Sequence, residues 1–316
     1  MNMLASNFCR FSFSKLSLLF ICLSGSLTGF AQIGVKAVVE PKENLIAVYD
    51  SSIIFLGYEP TGYMDKILYL PGMHEDSRKY GYRDFLIDYR QPAYAENNKF
   101  RGGLYEALAD SYFLVKEVII PDNKYGTYWL KLEEQKTKEL CFFKYSPTFS
   151  DGFPFIPVPY FNFISEKYVG KEIVTRGTNW IDDTSMKDMN TGDPVEFSPG
   201  TEWKIIDVAI EDQYFSLALI LENNNGEQIP FGQLYYLPGG EHCCRHVFLK
   251  TELAPYSGSP YYDLIINGEI VAGFTEKMVR MSWGNPKSVN HSSSGDQWVY
   301  DGQYVYFENG IMTSFN

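Results

Sequence analysis

Cysteine is scarce in this chain: five in 316 residues, two of which, Cys9 and Cys22, stand near the N-terminus. The others are Cys141, Cys243 and Cys244. Adjacent cysteines rarely bond to each other, because the eight-membered ring strains the peptide between them, so one bridge at most is expected, from Cys141 to Cys243 or Cys244. A disulfide scaffold is thereby excluded, and the chain must be held by buried apolar surface. Basic residues are also in deficit, 27 Lys+Arg against 39 Asp+Glu, for a net charge of −12. Such a surface repels polyanions, which excludes nucleic acid as a partner. No run reaches the ~18 consecutive apolar residues of a membrane-spanning helix, so no transmembrane helix is expected, although peripheral membrane contact stays open. Gly-x-Ser-x-Gly, His-Glu-x-x-His, Walker A and Gly-x-Gly-x-x-Gly signatures are absent, which removes the common nucleophile, zinc-peptidase and nucleotide sites. No cofactor is called for.

What the chain has in excess is rings: 24 Tyr, 23 Phe and 5 Trp, or 16% of residues, within an ordinary 45% hydrophobic and 21% charged composition. Aromatic side chains suit a pleated, half-buried surface, so the composition points to sheets. Most of the excess is read as core for several small units. Exposed Tyr and Trp with polar neighbours would instead suit glycans or extended peptides, since flat rings offer contact area at small entropic cost.

Residues 1–31 read as a signal peptide. Arg10 and Lys15 precede the apolar run Leu16 to Leu23, and Gly29-Phe30-Ala31 supplies a small-x-small cleavage site, leaving Gln32 first. Lipidation at Cys22 would need a small residue before it, where Ile21 stands. The expected location is therefore the periplasm, the outer-membrane surface or the medium.

A repeat organises the middle of the chain. Phe113 to Ile120, Tyr128 to Glu133 and Leu140 to Phe143 can be laid on Trp203 to Ile210, Leu217 to Glu222 and Ile229 to Phe231. The offset is 90 residues from Phe113 to Trp203, and 89 from Tyr128 to Leu217. Each copy reads as three strands joined by polar turns. Leu217, Leu219 and Leu221 alternate with Ala218 and Ile220, so that strand is expected to be buried on both faces. Upstream, Tyr63-Met-Asp-Lys66 leading to Gly72 matches Tyr168-Val-Gly-Lys171 leading to Gly177.

These copies resemble tandem SH3-like envelope modules. They would be a first β domain over 32–145 with an insert at 73–109, and a second over 161–255. Within the insert, the near-helical spacing of Phe85, Leu86 and Tyr89, and the stretch Leu104 to Leu108, predict one or two short helices. Between the domains, 146–160 carries four prolines among aromatic residues. Proline cannot serve a central strand, so this segment is read as an extended linker whose rings pack on a domain, with a polyproline-type docking peptide as the sharper alternative.

At the C-terminus, Thr275 caps a helix running to Trp283, stopped by Gly284 and Pro286. After a polar loop, Asn290 to Asp296, come three strands: Gln297 to Tyr300, Tyr304 to Phe307 and Ile311 to Phe315. Asn309-Gly310 supplies the second hairpin turn. The residues Gly273-Phe-Thr, Val279, Gly284-Asn-Pro286, Trp298-Val-Tyr300, Val305-Tyr-Phe307 and Gly310-Ile311 resemble the SmpA/OmlA (BamE-like) family of outer-membrane assembly lipoproteins. The resemblance covers Tyr261 to Asn316. It implies an α+β unit over 256–316, with helices at Tyr262 to Asn267 and Thr275 to Trp283 on a three-stranded sheet. The family offers no catalytic residues. The overall fold class is therefore mainly β with a terminal α+β unit.

For chemistry, Glu241-His-Cys-Cys-Arg-His246 is the densest group of soft ligands. On a strand His242, Cys244 and His246 would share a face, so two imidazoles and a thiolate could meet a metal that found a fourth ligand elsewhere. The spacings of one and two are not those of structural zinc sites. His74 and His291 sit alone in polar segments. Asp183-Thr-Ser185 is similar to the aspartic-protease loop but lacks its hydrophobic strand. Glu59 with Asp65, or Asp182 with Asp183, are the acidic pairs on which a hydrolase would draw. The reading favoured by the whole sequence is an exported, non-catalytic envelope protein that contacts other proteins or cell-wall material. An envelope hydrolase, glycan- or peptide-cleaving, is the alternative, and a metal-binding protein centred on His242 to His246 the third.

Overall fold

The computed structural model describes residues 49–91, 99, 105–120, 127–177, 186–211, 216–232, 247–293 and 295–316. Residues 1–31 with Cys22, the pair Cys243 and Cys244, the His242 to His246 cluster and Asp182 to Ser185 lie outside the described residues. The described residues are mainly β, with three antiparallel sheets and few helices among them.

The first sheet contains β1 (Ile67–Leu70), β2 (Phe85–Leu86), β3 (Ser111–Ile119), β4 (Tyr128–Glu134), β5 (Leu140–Tyr145) and β6 (Ile156–Pro157), in the order β2-β5-β4-β3-β1-β6. Two one-turn helices, α1 (Glu75–Arg78) and α2 (Tyr105–Leu108), lie in the long connection between β1 and β3. Strict alternation decides which side chains face the core: Tyr128, Leu130 and Leu132 of β4 are buried, while Trp129, Lys131 and Glu133 are half-buried on the other face. Around these inward residues gather Tyr63, Phe113, Phe143, Tyr145, Phe153 and Phe155. Tyr63 stacks on Phe153 at 5.2 Å, and Phe143 meets Phe155 edge-on at 5.0 Å. Much of the ring excess is thus core.

The second sheet follows α3 (Val158–Tyr168). It contains β7 (Glu172–Thr175), β8 (Glu202–Glu211), β9 (Ser216–Asn223), β10 (Gln228–Phe231) and β11 (Val247–Leu249), in the order β10-β9-β8-β7-β11. Leu217 to Leu221 are all buried, as a strand covered on both faces requires.

The repeat read from the sequence extends to the register. Val115 faces Leu132 and Ile205 faces Leu221; Val118 faces Leu130 and Val208 faces Leu219. Both long strands shift register at the same place, between Val115 and Glu117 and between Ile205 and Asp207. A bulge adds local twist, and a shared bulge marks a shared backbone path. Upstream, Val115 exchanges backbone hydrogen bonds with Asp65 and Lys66, as Ile205 does with Gly170 and Lys171. Asp65 and Gly170 both take left-handed φ, 59° and 86°, so the turn into β1 and the turn into β7 are the same turn.

The third sheet is a meander of β12 (Ser288–Ser292), β13 (Gly295–Val299), β14 (Tyr304–Glu308) and β15 (Ile311–Phe315). Beside it lie α4 (Lys250–Leu253), α5 (Tyr262–Ile266) and α6 (Glu276–Trp283). Thr275 caps α6, its hydroxyl accepting from the Met278 N–H at 3.3 Å. Met278, Val279, Met281, Trp298, Val305, Phe307 and Met312 close this core.

Adjacent units interlock. Ile156, on the closing strand β6, is buried in the second core, and Val174 with Phe248, the same pair of positions on β7 and β11, is buried in the third. The Gly177 N–H donates to the Ile266 carbonyl at 2.8 Å, and the Arg176 guanidinium donates to the Ser282 carbonyl at the end of α6.

Three local expectations need correction. Phe85, Leu86 and Tyr89 are not helical: Phe85 pairs with Phe143 in a strand and enters the core, while Leu86 turns to the opposite face. The segment 146–160 is more than a linker. Phe153 and Phe155 fill the first core, Ile156–Pro157 forms the edge strand β6, and Val158 already begins α3, with Pro159 tolerated in its first turn. That helix went unread because its aromatic and proline residues mask its period. The C-terminal sheet has four strands, because the polar stretch before Asp296 folds back as β12 against β13.

Candidate functional site

The outer face of the first sheet departs from the usual pattern for an antiparallel sheet with one solvent face, where polar residues are expected. Cross-strand neighbours put Leu86, Phe142, Lys131 and Glu117 in one row and Lys144, Trp129 and Ile119 in the next. Tyr89 leans over both rows, its ring 5.1 Å from Phe142 and 5.9 Å from Trp129. Leu86 is buried beside them, and Leu140 on the same face is 49% exposed.

Charge is interleaved with these rings. Arg90 lies 5.9 Å over Tyr89 and holds Asp88 in a bidentate pair, at 2.9 and 3.1 Å. These hydrogen bonds from Arg90 keep the Asp88 carboxyl below the usual carboxylate range. Lys131 reaches Glu117 at 3.4 Å. Lys144 stands across from Trp129, is exposed, and makes no ion pair among the described residues. The result is a ring surface with Arg90 against Tyr89 and lysines at the positions across from Trp129 and Phe142. Such a surface can bind by stacking and by salt-sensitive attraction.

The residues singled out in the sequence fall elsewhere. Glu59 and Asp65 are exposed, at the start of a short helical turn and in the turn before β1. His74 caps α1, 3.6 Å from the Asp76 carboxylate. His291 on β12 bonds Asp296 across the hairpin at 2.8 Å and is exposed. Cys141 is buried in the first core opposite Leu132. His242, Cys244, His246 and Asp182 to Ser185 lie outside the described residues, among which no three His, Cys, Asp or Glu side chains assemble as a cation site. No helix of the described residues is long and apolar enough to cross a membrane, which leaves strands untested.

The signal that would have found the outer face is parity. In Tyr128-Trp-Leu-Lys-Leu-Glu, Trp129 shares its side of the strand with Lys131 and Glu133, so it had to face outward.

Comparison with protein families, with characterised proteins and with solved structures returns no match. The chain's role has to be argued from its own surface.

Proposed function

We propose that this is an exported, non-catalytic envelope protein that makes contact with other envelope proteins or with cell-wall material. The observation that carries the reading is the outer face of the first sheet, where Tyr89, Trp129 and Phe142 meet beside Arg90, Lys131 and Lys144. Half-exposed aromatic rings with cations among them suit a contact surface. Architecture supports the same reading. In both the first and second sheets a three-stranded meander is followed by a strand that returns to pair with the first strand, the connectivity of SH3-like units. A short helical turn, Ser150–Gly152, precedes the returning strand in the first. Two helices beside an antiparallel meander at the C-terminus agree with a BamE-like unit carrying an additional strand. Export rests on the leader-like segment before Gln32.

The test is a pull-down from envelope extract with the purified chain, run beside co-sedimentation with isolated cell walls. Specific retention in either, weakened by Trp129→Ala, supports the reading. Retention of nothing in both assays removes it.

A further inference from the structure

On a chain whose net charge is −12, the outer face of the first sheet runs against the overall sign. Its cations are Arg90, Lys131 and Lys144, with exposed Lys99 bridging to Leu86 in the same row. Its anions are Asp88, Glu117 and Glu133, each already engaged, by Arg90, by Lys131, and by Lys116 with Lys138. Lys99 and Lys144 make no ion pair among the described residues. The arrangement is as telling as the count. Lys144 is the direct cross-strand neighbour of Trp129, and Lys131 that of Phe142, so each of these two rings faces a lysine, with Cβ atoms about 4.5–5.5 Å apart.

Resting on the contact reading above, we propose that this face binds a carboxylated polysaccharide. A pyranose ring is flat and shows a C–H face that stacks on Trp129, Tyr89 or Phe142, while a carboxylate on that ring projects from its edge to the adjacent Lys or Arg. A ligand alternating apolar faces with anionic edges matches a surface alternating rings with cations. An acidic peptide supplies the charges but no rigid flat faces for three rings. A neutral glycan supplies the faces but nothing that uses the exposed cations Lys99 and Lys144. Single-stranded nucleic acid has both features and is set aside on the exported location proposed above, where glycans are the abundant polymers.

Calorimetric titration of the full chain with polygalacturonate, with glycan strands released from peptidoglycan, with dextran and with poly-glutamate decides the matter. The expected result is saturable binding to one or both carboxylated glycans, and which of the two binds identifies the source. Binding should weaken on going from ~0.15 M to ~1 M salt, as screened contacts do. Trp129→Ala and Lys144→Glu should each weaken it at least tenfold, and dextran and poly-glutamate should not bind. Lys144 is exposed, so Lys144→Glu keeps the test valid even where Trp129→Ala disturbs folding. Equal binding of poly-glutamate, equal binding of dextran, or unchanged affinity in Lys144→Glu each overturns the proposal. A chain that sediments with cell walls yet ignores both carboxylated glycans overturns this inference alone; one that is retained by nothing overturns the contact reading with it.

Discussion

Glu134 and Asn223 occupy equivalent positions in the two related sheets, at the end of β4 and of β9, and each closes its hairpin with a side-chain oxygen. Glu134 accepts from the Lys136 N–H at 3.1 Å, the Thr137 N–H at 2.6 Å and the Thr137 hydroxyl at 2.5 Å. Asn223 Oδ1 accepts from the N–H groups of Asn225 and Glu227, at 2.9 and 3.1 Å. Different residues thus perform one task, satisfying turn donors that strand pairing leaves open. Glu134→Ala is expected to destabilise the chain by about 1.5–3 kcal/mol, since it removes a charged acceptor that takes three hydrogen bonds from the turn. Asn223→Ala should cost roughly 0.5–2 kcal/mol, as other side-chain caps do. Urea unfolding midpoints check both.

The same hairpins differ at the residue that must turn left-handed. Lys138 has φ 63° and Gly226 has φ 81°. A side chain there costs ~1–2 kcal/mol against ordinary backbone, and glycine avoids most of it. Lys138→Gly should therefore stabilise by roughly 0.5–1 kcal/mol, with Gly226→Ala losing about 1 kcal/mol. Opposite signs in one thermal-melt experiment are the required outcome.

Asp188 sets an acid limit on stability. Its carboxylate accepts from the Gln228 N–H at 2.6 Å and from those of Asn190 and Thr191 at 2.8 Å, tying the 186–195 segment to β10. These bonds, that from Gln228 foremost, hold its pKa below the ordinary carboxylate value. A lowered folded-state pKa means the stabilisation is complete above the unfolded value of about 3.9 and is lost as pH falls through the folded value. Asp188→Asn should therefore be less stable than the parent at pH 7, with the gap narrowing steadily below ~pH 4. Equal gaps at pH 7 and pH 3 in urea titrations would contradict this.

Ser282 is fully buried in α6, and its hydroxyl finds no hydrogen-bond partner among the described residues. An unsatisfied buried hydroxyl costs about 1–3 kcal/mol, and alanine is also the better helix former. Ser282→Ala is expected to raise the melting temperature, the reverse of a typical buried substitution. A drop in the melting temperature would mean that the hydroxyl is satisfied.

The sequence carried the long strands well, because β3, β4, β8 and β9 each run seven residues or more and their alternation repeats at matching offsets. It carried α6 as well, with its Thr275 cap and Gly284 stop both in place. The two-residue strands β2 and β6 were invisible, since two residues hold no period and only a partner strand makes them strands. β12 hid for a different reason: as an exposed edge of Ser, Asn and His it lacks any apolar alternation. The outer-face site was legible in part. Trp129 and Phe142 lay within strands that were read correctly, but their facing needed parity applied residue by residue, and Tyr89 reaches them only through the path of the insert.

The interlocking of Ile156, Val174 and Phe248 with neighbouring interiors has a mechanical consequence. Tension applied at either end of the described chain has to travel through these plugs, because withdrawing any one exposes apolar surface worth ~1.5–3 kcal/mol per side chain to water. The sheets should therefore yield in succession under load, as a chain of snapped couplings, with the ring-bearing surface keeping its bearing on the C-terminal sheet until the first coupling gives way.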